Sequence, residues 1–164
     1  MKYIKILLIS TFLFIGLQVY SEPLKAGVSI DAVPETFYGS WRVVAKISKQ
    51  TGSTNFRPQA LDIWNLSREG NVINLNNPFT GANASVKVDY VEGNLIRFTK
   101  TGQYDDNKIL IDTVDLKLSG DTFTGINSLS LETYSQVDNS LIKKDTAIYI
   151  LKGEKISGTS ITGK

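Results

Sequence analysis

The chain contains no cysteine and no histidine in 164 residues. Without cysteine there is no disulfide, no thiolate nucleophile, and none of the acylated cysteine that anchors a bacterial lipoprotein. Without histidine there is no Ser-His-Asp triad and no imidazole ligand for zinc or haem. Carboxylate pairs, Ser-Lys dyads and oxygen-ligated cations are the chemistry that survives. An excess of one charge sign is lacking too, since 18 basic residues face 16 acidic ones.

Long apolar runs are also scarce. The one present, Ile6 to Leu17 behind Lys2 and Lys5, is about a dozen residues, short of the ~20 a bilayer-spanning helix needs. Val19-Tyr20-Ser21 follows it with small residues at its first and third positions, so residues 1–21 read as a signal peptide cleaved after Ser21. The expected product is secreted or periplasmic, with no stable membrane anchor. Loss of Lys2 and Lys5 leaves 16 basic and 16 acidic residues. A neutral domain offers no counterion-release drive toward nucleic acid and no basic face for an anionic membrane. The 143 residues after the leader suffice for one core, which must be held by burial and strand pairing alone.

Residues 22–36 read as an N-terminal arm ending in a short helical turn, because Asp31-Ala-Val-Pro34-Glu35 sets an acceptor, a proline and an acid in helix-starting order. From residue 37 to 164 no helical period persists, and runs of β-branched and aromatic residues are bounded by Gly, Asn and Asp. The fold class is all-β. Turn signals at Gly70-Asn71, Gly93-Asn94, Gly120-Asp121 and Gly153-Glu154 predict tight hairpins in series. Strands are expected near 38–48, 60–68, 71–76, 84–91, 94–101, 108–118, 121–133 and 143–152, with another over 154–161. An antiparallel meander of 8–10 strands leaves no exposed edge if it closes into a barrel.

Alternation assigns faces. Ala84, Val86, Val88 and Tyr90 share one face, and Ser85, Lys87 and Asp89 the other. In Asp62-Ile-Trp64-Asn65 the last two residues face opposite ways, so one can line a cavity while the other meets solvent. Val114, Leu116 and Leu118 bring Asp112 to the inner face unless a bulge intervenes, and a carboxylate there must find a partner. Asp112 and Asp115 fall on opposite faces, so they form no acid/base pair. Asp105-Asp106-Asn107 lacks the spaced ligands of a calcium loop and reads as a hairpin turn. Asn65-Leu-Ser67 and Asn83-Ala-Ser85 match the N-glycosylation pattern, which matters only in a host with that machinery.

Gly39-Ser40-Trp41 heads the first strand. Trp41 pointing inward would plug one end of the barrel, and Gly39 would let the preceding turn cross that end closely. A signal peptide, a helical turn, Gly-x-Trp and a meander of this length together resemble the lipocalins and the wider calycin group. The resemblance implies a lipocalin-like barrel with a basic side chain near the end of the last strand covering Trp41, and Lys152 is the residue that matches it. The family's usual mid-barrel signature, disulfide and post-barrel helix are not in this sequence.

Neither a catalytic constellation nor a cofactor or metal motif stands out. The expected activity is binding of a small, largely hydrophobic molecule in the lumen, among Val86, Val88, Tyr90, Phe98, Asp112, Phe123, Leu129 and Tyr149, with Phe79 at the mouth. An eight-stranded barrel is just wide enough to hold one small ligand or to be filled by side chains. The filled alternative is a protein-interaction or inhibitor module that presents the loops Asn77–Asn83 and Ser135–Ser140.

Overall fold

Short runs of β-branched and aromatic residues, cut by turn-forming residues, make eight strands between Gly39 and Ser157. The computed structural model describes residues 30–78 and 81–158, so the leader, most of the N-terminal arm and Phe79 lie outside the described residues. The strands are β1 (Gly39–Thr51), β2 (Gln59–Glu69), β3 (Val72–Asn77), β4 (Ala82–Glu92), β5 (Leu95–Asp105), β6 (Lys108–Ser119), β7 (Thr122–Tyr134) and β8 (Leu141–Ser157). Each pairs antiparallel with the next, and β8 pairs with β1 to close the barrel. Two single 3₁₀ turns, Ile30–Ala32 and Glu35–Phe37, precede β1. The expected all-β meander barrel is therefore the fold of this chain.

Three of the four expected glycine hairpins are present. Gly70, Gly93 and Gly120 have φ of 57°, 57° and 58°, and all three turns lie at the Trp41 end. The fourth expectation is corrected. Gly153 lies inside β8, opposite Val43 and Phe123, and no further strand starts at residue 154. A Cβ at Gly153 would come 2.1 Å from the Phe123 ring, so this glycine makes room for an aromatic side chain rather than for a turn.

The β4–β5 register shifts between Val88 and Tyr90, a bulge that gives Asp89 an extra place. Tyr90, expected inside, is turned outward by that shift, and its hydroxyl donates to Glu92. By contrast β6 pairs with β7 without interruption from Lys108 to Ser119, which keeps Asp112 on the inner face with Val114. Asp105 and Lys108 close the β5–β6 hairpin as an ion pair at 2.9 Å. Apolar side chains form the core cluster inside, while ion pairs such as Arg42–Glu154 and Arg97–Asp115 stand outside.

The wall is uneven in height. β3 and β4 form a short hairpin, and β2 pairs with β3 only from Asn65 onward, while β4 pairs with β5 only up to Thr99. Among the described residues, Gln59–Trp64 of β2 and Lys100–Asp105 of β5 have no strand partner on that side. Among the described residues, the end of the barrel away from Trp41 therefore leaves a lateral notch between β2 and β5.

Candidate functional site

One end of the lumen is solid. Trp41 and Phe37 are fully buried, and the indole Nε1 donates to the Phe37 carbonyl at 2.9 Å, which fixes the 3₁₀ turn across the barrel floor. Phe123 packs on Trp41 with ring centroids 5.1 Å apart and stacks on Trp64 at 5.9 Å. Trp64 meets Phe98 edge-on at 6.4 Å, and Phe98 meets Phe37 at 5.9 Å. Each such pair adds about 0.5–1.5 kcal/mol beyond its area burial. Gly39, at φ 122°, lies against the end of β8, where a Cβ would meet the Ser157 carbonyl at 2.4 Å. Its lack of a side chain allows this close approach to the end of β8, a different contact from the crossing by the preceding turn that the sequence suggests.

The cation over the tryptophan is Lys155, not Lys152. Its Nζ lies 4.7 Å from the indole centroid and donates to the Tyr38 carbonyl at 2.8 Å and to that of Thr36. Strand parity explains the correction: Leu151, Gly153 and Lys155 face inward, whereas Lys152 stands exposed between Val44 and Thr124. Burial pulls the Lys155 ammonium below its usual range, and Asp121 acts in the opposite direction. Reading Gly153 as a turn hides this residue, because only a strand continued through it puts the inward cation at 155.

Above the aromatic pile the lumen is open, with a cavity of about 520 Å³. Five of the eight expected lumen residues line it: Val86, Phe98, Asp112, Leu129 and Tyr149. Val88 packs against the core cluster, Phe123 lies below the cavity in the floor, and Tyr90 lines a groove on the outer surface. Trp64 forms part of the cavity base while its neighbour Asn65 faces away. Phe79 lies outside the described residues.

The polar groups that line the cavity include two carboxylates, each with an amide partner. Asp112 accepts from the Asn127 amide and pairs with Lys100 at 3.3 Å. On the other side, Asp62 accepts from the Asn77 amide at 3.1 Å. Asp62 and Lys100 sit on the unpaired parts of β2 and β5, so they flank the notch. The Tyr149 hydroxyl donates to the Arg57 carbonyl at 2.9 Å, and burial raises its pKa. β6 parity alone places Asp112, and the parity of Trp64 carries Asp62 inward with it. Sequence reasoning misses Asn77, Lys100 and Asn127 as site residues, although inward parity with Leu129 marks Asn127.

The rim is held by a second carboxylate system. Asp145 on β8 accepts from the Ser53 backbone at 3.1 Å and the Thr54 hydroxyl at 2.5 Å, and pairs with Lys143 at 2.6 Å. These contacts, led by Lys143, hold its pKa below the usual carboxylate range and fasten the β1–β2 loop beside the mouth. Ser135–Ser140 closes on itself, with the Ser135 N–H donating to the Ser140 carbonyl at 2.8 Å and Val137 fully exposed at its tip.

A cavity that joins apolar walls to a few convergent polar pairs is suited to enclosing a small amphipathic molecule. No protein-family model, curated protein or solved structure matches the chain.

Proposed function

We propose that this is a secreted or periplasmic, lipocalin-like barrel protein that binds a small, largely hydrophobic molecule without transforming it. The observation that carries this reading is the cavity of about 520 Å³, with Trp64, Phe98, Val86 and Leu129 among its walls. That volume falls within the ~300–1,000 Å³ typical of small-molecule sites. The lipocalin likeness is supported by the closed eight-stranded meander, the 3₁₀ turn before β1, Gly39-x-Trp41, and a last-strand cation over the indole supplied by Lys155. Secretion is supported by the leader pattern of residues 1–21.

The test is native mass spectrometry and solvent extraction of the purified protein, joined to titration with an environment-sensitive apolar dye. A co-purifying small molecule, or saturable one-to-one dye uptake that quenches Trp64 emission, is the expected result. An empty protein that takes up no dye refutes the carrier reading.

A second reading, a protein-interaction module, is favoured by the β7–β8 hairpin, where Val137 is 97% exposed and Ile142 is 64% exposed. Retention of a protein partner that a Val137→Ser, Ile142→Ser variant loses, without loss of dye uptake, would mark that surface as functional.

A further inference from the structure

Four charged side chains line the cavity, Asp112, Lys100, Asp62 and Arg57, and their pairing is uneven. Asp112 is matched by Lys100 and by the Asn127 amide. Asp62 receives the Asn77 amide, and among the described residues no cation lies within ion-pair distance of it. A half-buried carboxylate beside apolar walls retains unfilled acceptor positions, because an ionised carboxylate offers about four lone-pair sites. Directly along β2, two residues away and on the same inward face, is Trp64, with Phe98 edge-on against it. A carboxylate next to an aromatic pair is the chemistry that recognises a monocationic ammonium group, through a charge-assisted hydrogen bond and cation–π attraction. The notch gives that head group its place, since Asp62 lies on the unpaired part of β2 where the wall is low.

We infer that the ligand is an amphipathic amine whose ammonium group pairs with Asp62 at the notch while its hydrocarbon body lies over Trp64 and Phe98. The inference rests on the carrier reading and adds the head-group chemistry to it. A fatty acid would set its carboxylate against Asp62 with Lys100 already held by Asp112, and the exposed Arg57 is the cavity cation left to it.

Three probes of equal chain length separate the possibilities: decylamine, decanol and decanoate, each titrated into the full chain at neutral pH and low concentration by calorimetry and Trp fluorescence. Decylamine is expected to bind at least about tenfold more tightly than decanol, as a charge-assisted hydrogen bond requires. Asp62→Asn is expected to erase that preference, bringing decylamine to within about twofold of decanol in the same variant. Thermal unfolding and near-ultraviolet circular dichroism establish that the variant is folded, and Asp62→Glu keeps the charge and is expected to keep the preference. Equal or tighter binding of decanol or decanoate overturns the head-group assignment while leaving the carrier reading in place. Binding of none of the three overturns both.

Discussion

Gly153→Ala is the most direct probe of how the floor is built. Phe123 is 2% exposed, wedged between Trp41 and Trp64, and β8 is pinned on both sides by β1 and β7. A methyl group at 153 would lie 2.1, 2.3 and 2.6 Å from three atoms of the Phe123 ring. Ordinary carbon contacts are about 3.5–4.0 Å, so the ring must move by more than ~1 Å in a place where nothing can yield. Overpacking of this kind costs about 1–3 kcal/mol, offset by about 0.4–1 kcal/mol from the stiffer unfolded chain. Three contacts of 2.1–2.6 Å put the overpacking cost at the upper end of that range, so a net loss of about 2 kcal/mol is expected, which for a domain of this size lowers Tm by roughly 6–10 °C. Urea unfolding followed by tryptophan fluorescence measures it, and a double-mutant cycle with Phe123→Leu assigns it. In the leucine background the penalty at 153 should fall below about 0.5 kcal/mol, a coupling of at least ~1 kcal/mol. Gly120→Ala is the control: its φ is 58°, and nothing lies within 4 Å of where its methyl group would sit. It should cost about 1 kcal/mol through the backbone alone and show no coupling to residue 123. A neutral Gly153→Ala, or equal penalties in both backgrounds, would refute the packing role.

Lys155→Met should destabilise the fold by about 1–3 kcal/mol in urea, because it removes the cation–π contact and strips donors from the Thr36 and Tyr38 carbonyls. Lys152→Met, on the exposed face, should stay within about 0.5 kcal/mol, and the reverse order would contradict the assignment of the floor cation. Asp145 has a depressed carboxyl pKa in the fold, so its contribution is complete above the unfolded value near 3.8 and is lost as pH falls through the lower folded value. The wild-type urea midpoint should therefore drop more steeply between neutral pH and the acid range than that of Asp145→Asn, and parallel curves would count against the clasp. Leu129→Trp places an indole in the cavity, and should weaken dye binding at least about tenfold while the barrel stays folded by circular dichroism.

Most of the architecture is legible in the sequence because β-structure leaves a period-two record and its turns leave glycines. The expected strand near 121–133 is β7 at Thr122–Tyr134, and the one near 108–118 is β6 at Lys108–Ser119. Departures come where a residue type has two physical uses. Gly153 looks like a turn glycine by its neighbours, yet it is fixed by a ring brought from a distant part of the chain, that of Phe123. Tyr90 has inward parity by its place in the run, and only the bulge at Asp89, a property of the β4–β5 pairing, turns it outward. The cavity's polar members are harder still. Asp112 can be placed from its own strand, but Lys100 and Asn127 acquire meaning only by facing it from β5 and β7.

The expectations of a filled and an open lumen divide along the barrel axis. Trp41, Phe123, Trp64 and Phe98 are bulky enough to occupy the lower lumen outright, and Gly153 is the concession that lets Phe123 fit. Higher up the inward positions pass to Ala45, Val86, Leu129 and the small polar set, and the short β3–β4 hairpin removes part of the wall. Side-chain volume falls where the strands are least complete, so the space opens there and nowhere lower. Stability and recognition are thereby placed on different residues of the same strands. Trp41 and Lys155 can be altered to weaken the fold without touching the cavity, while Asp62 and Leu129 can be altered to change what it accepts without loosening the floor. Trp64 and Phe98 belong to both layers, so substitutions there should move stability and ligand affinity together.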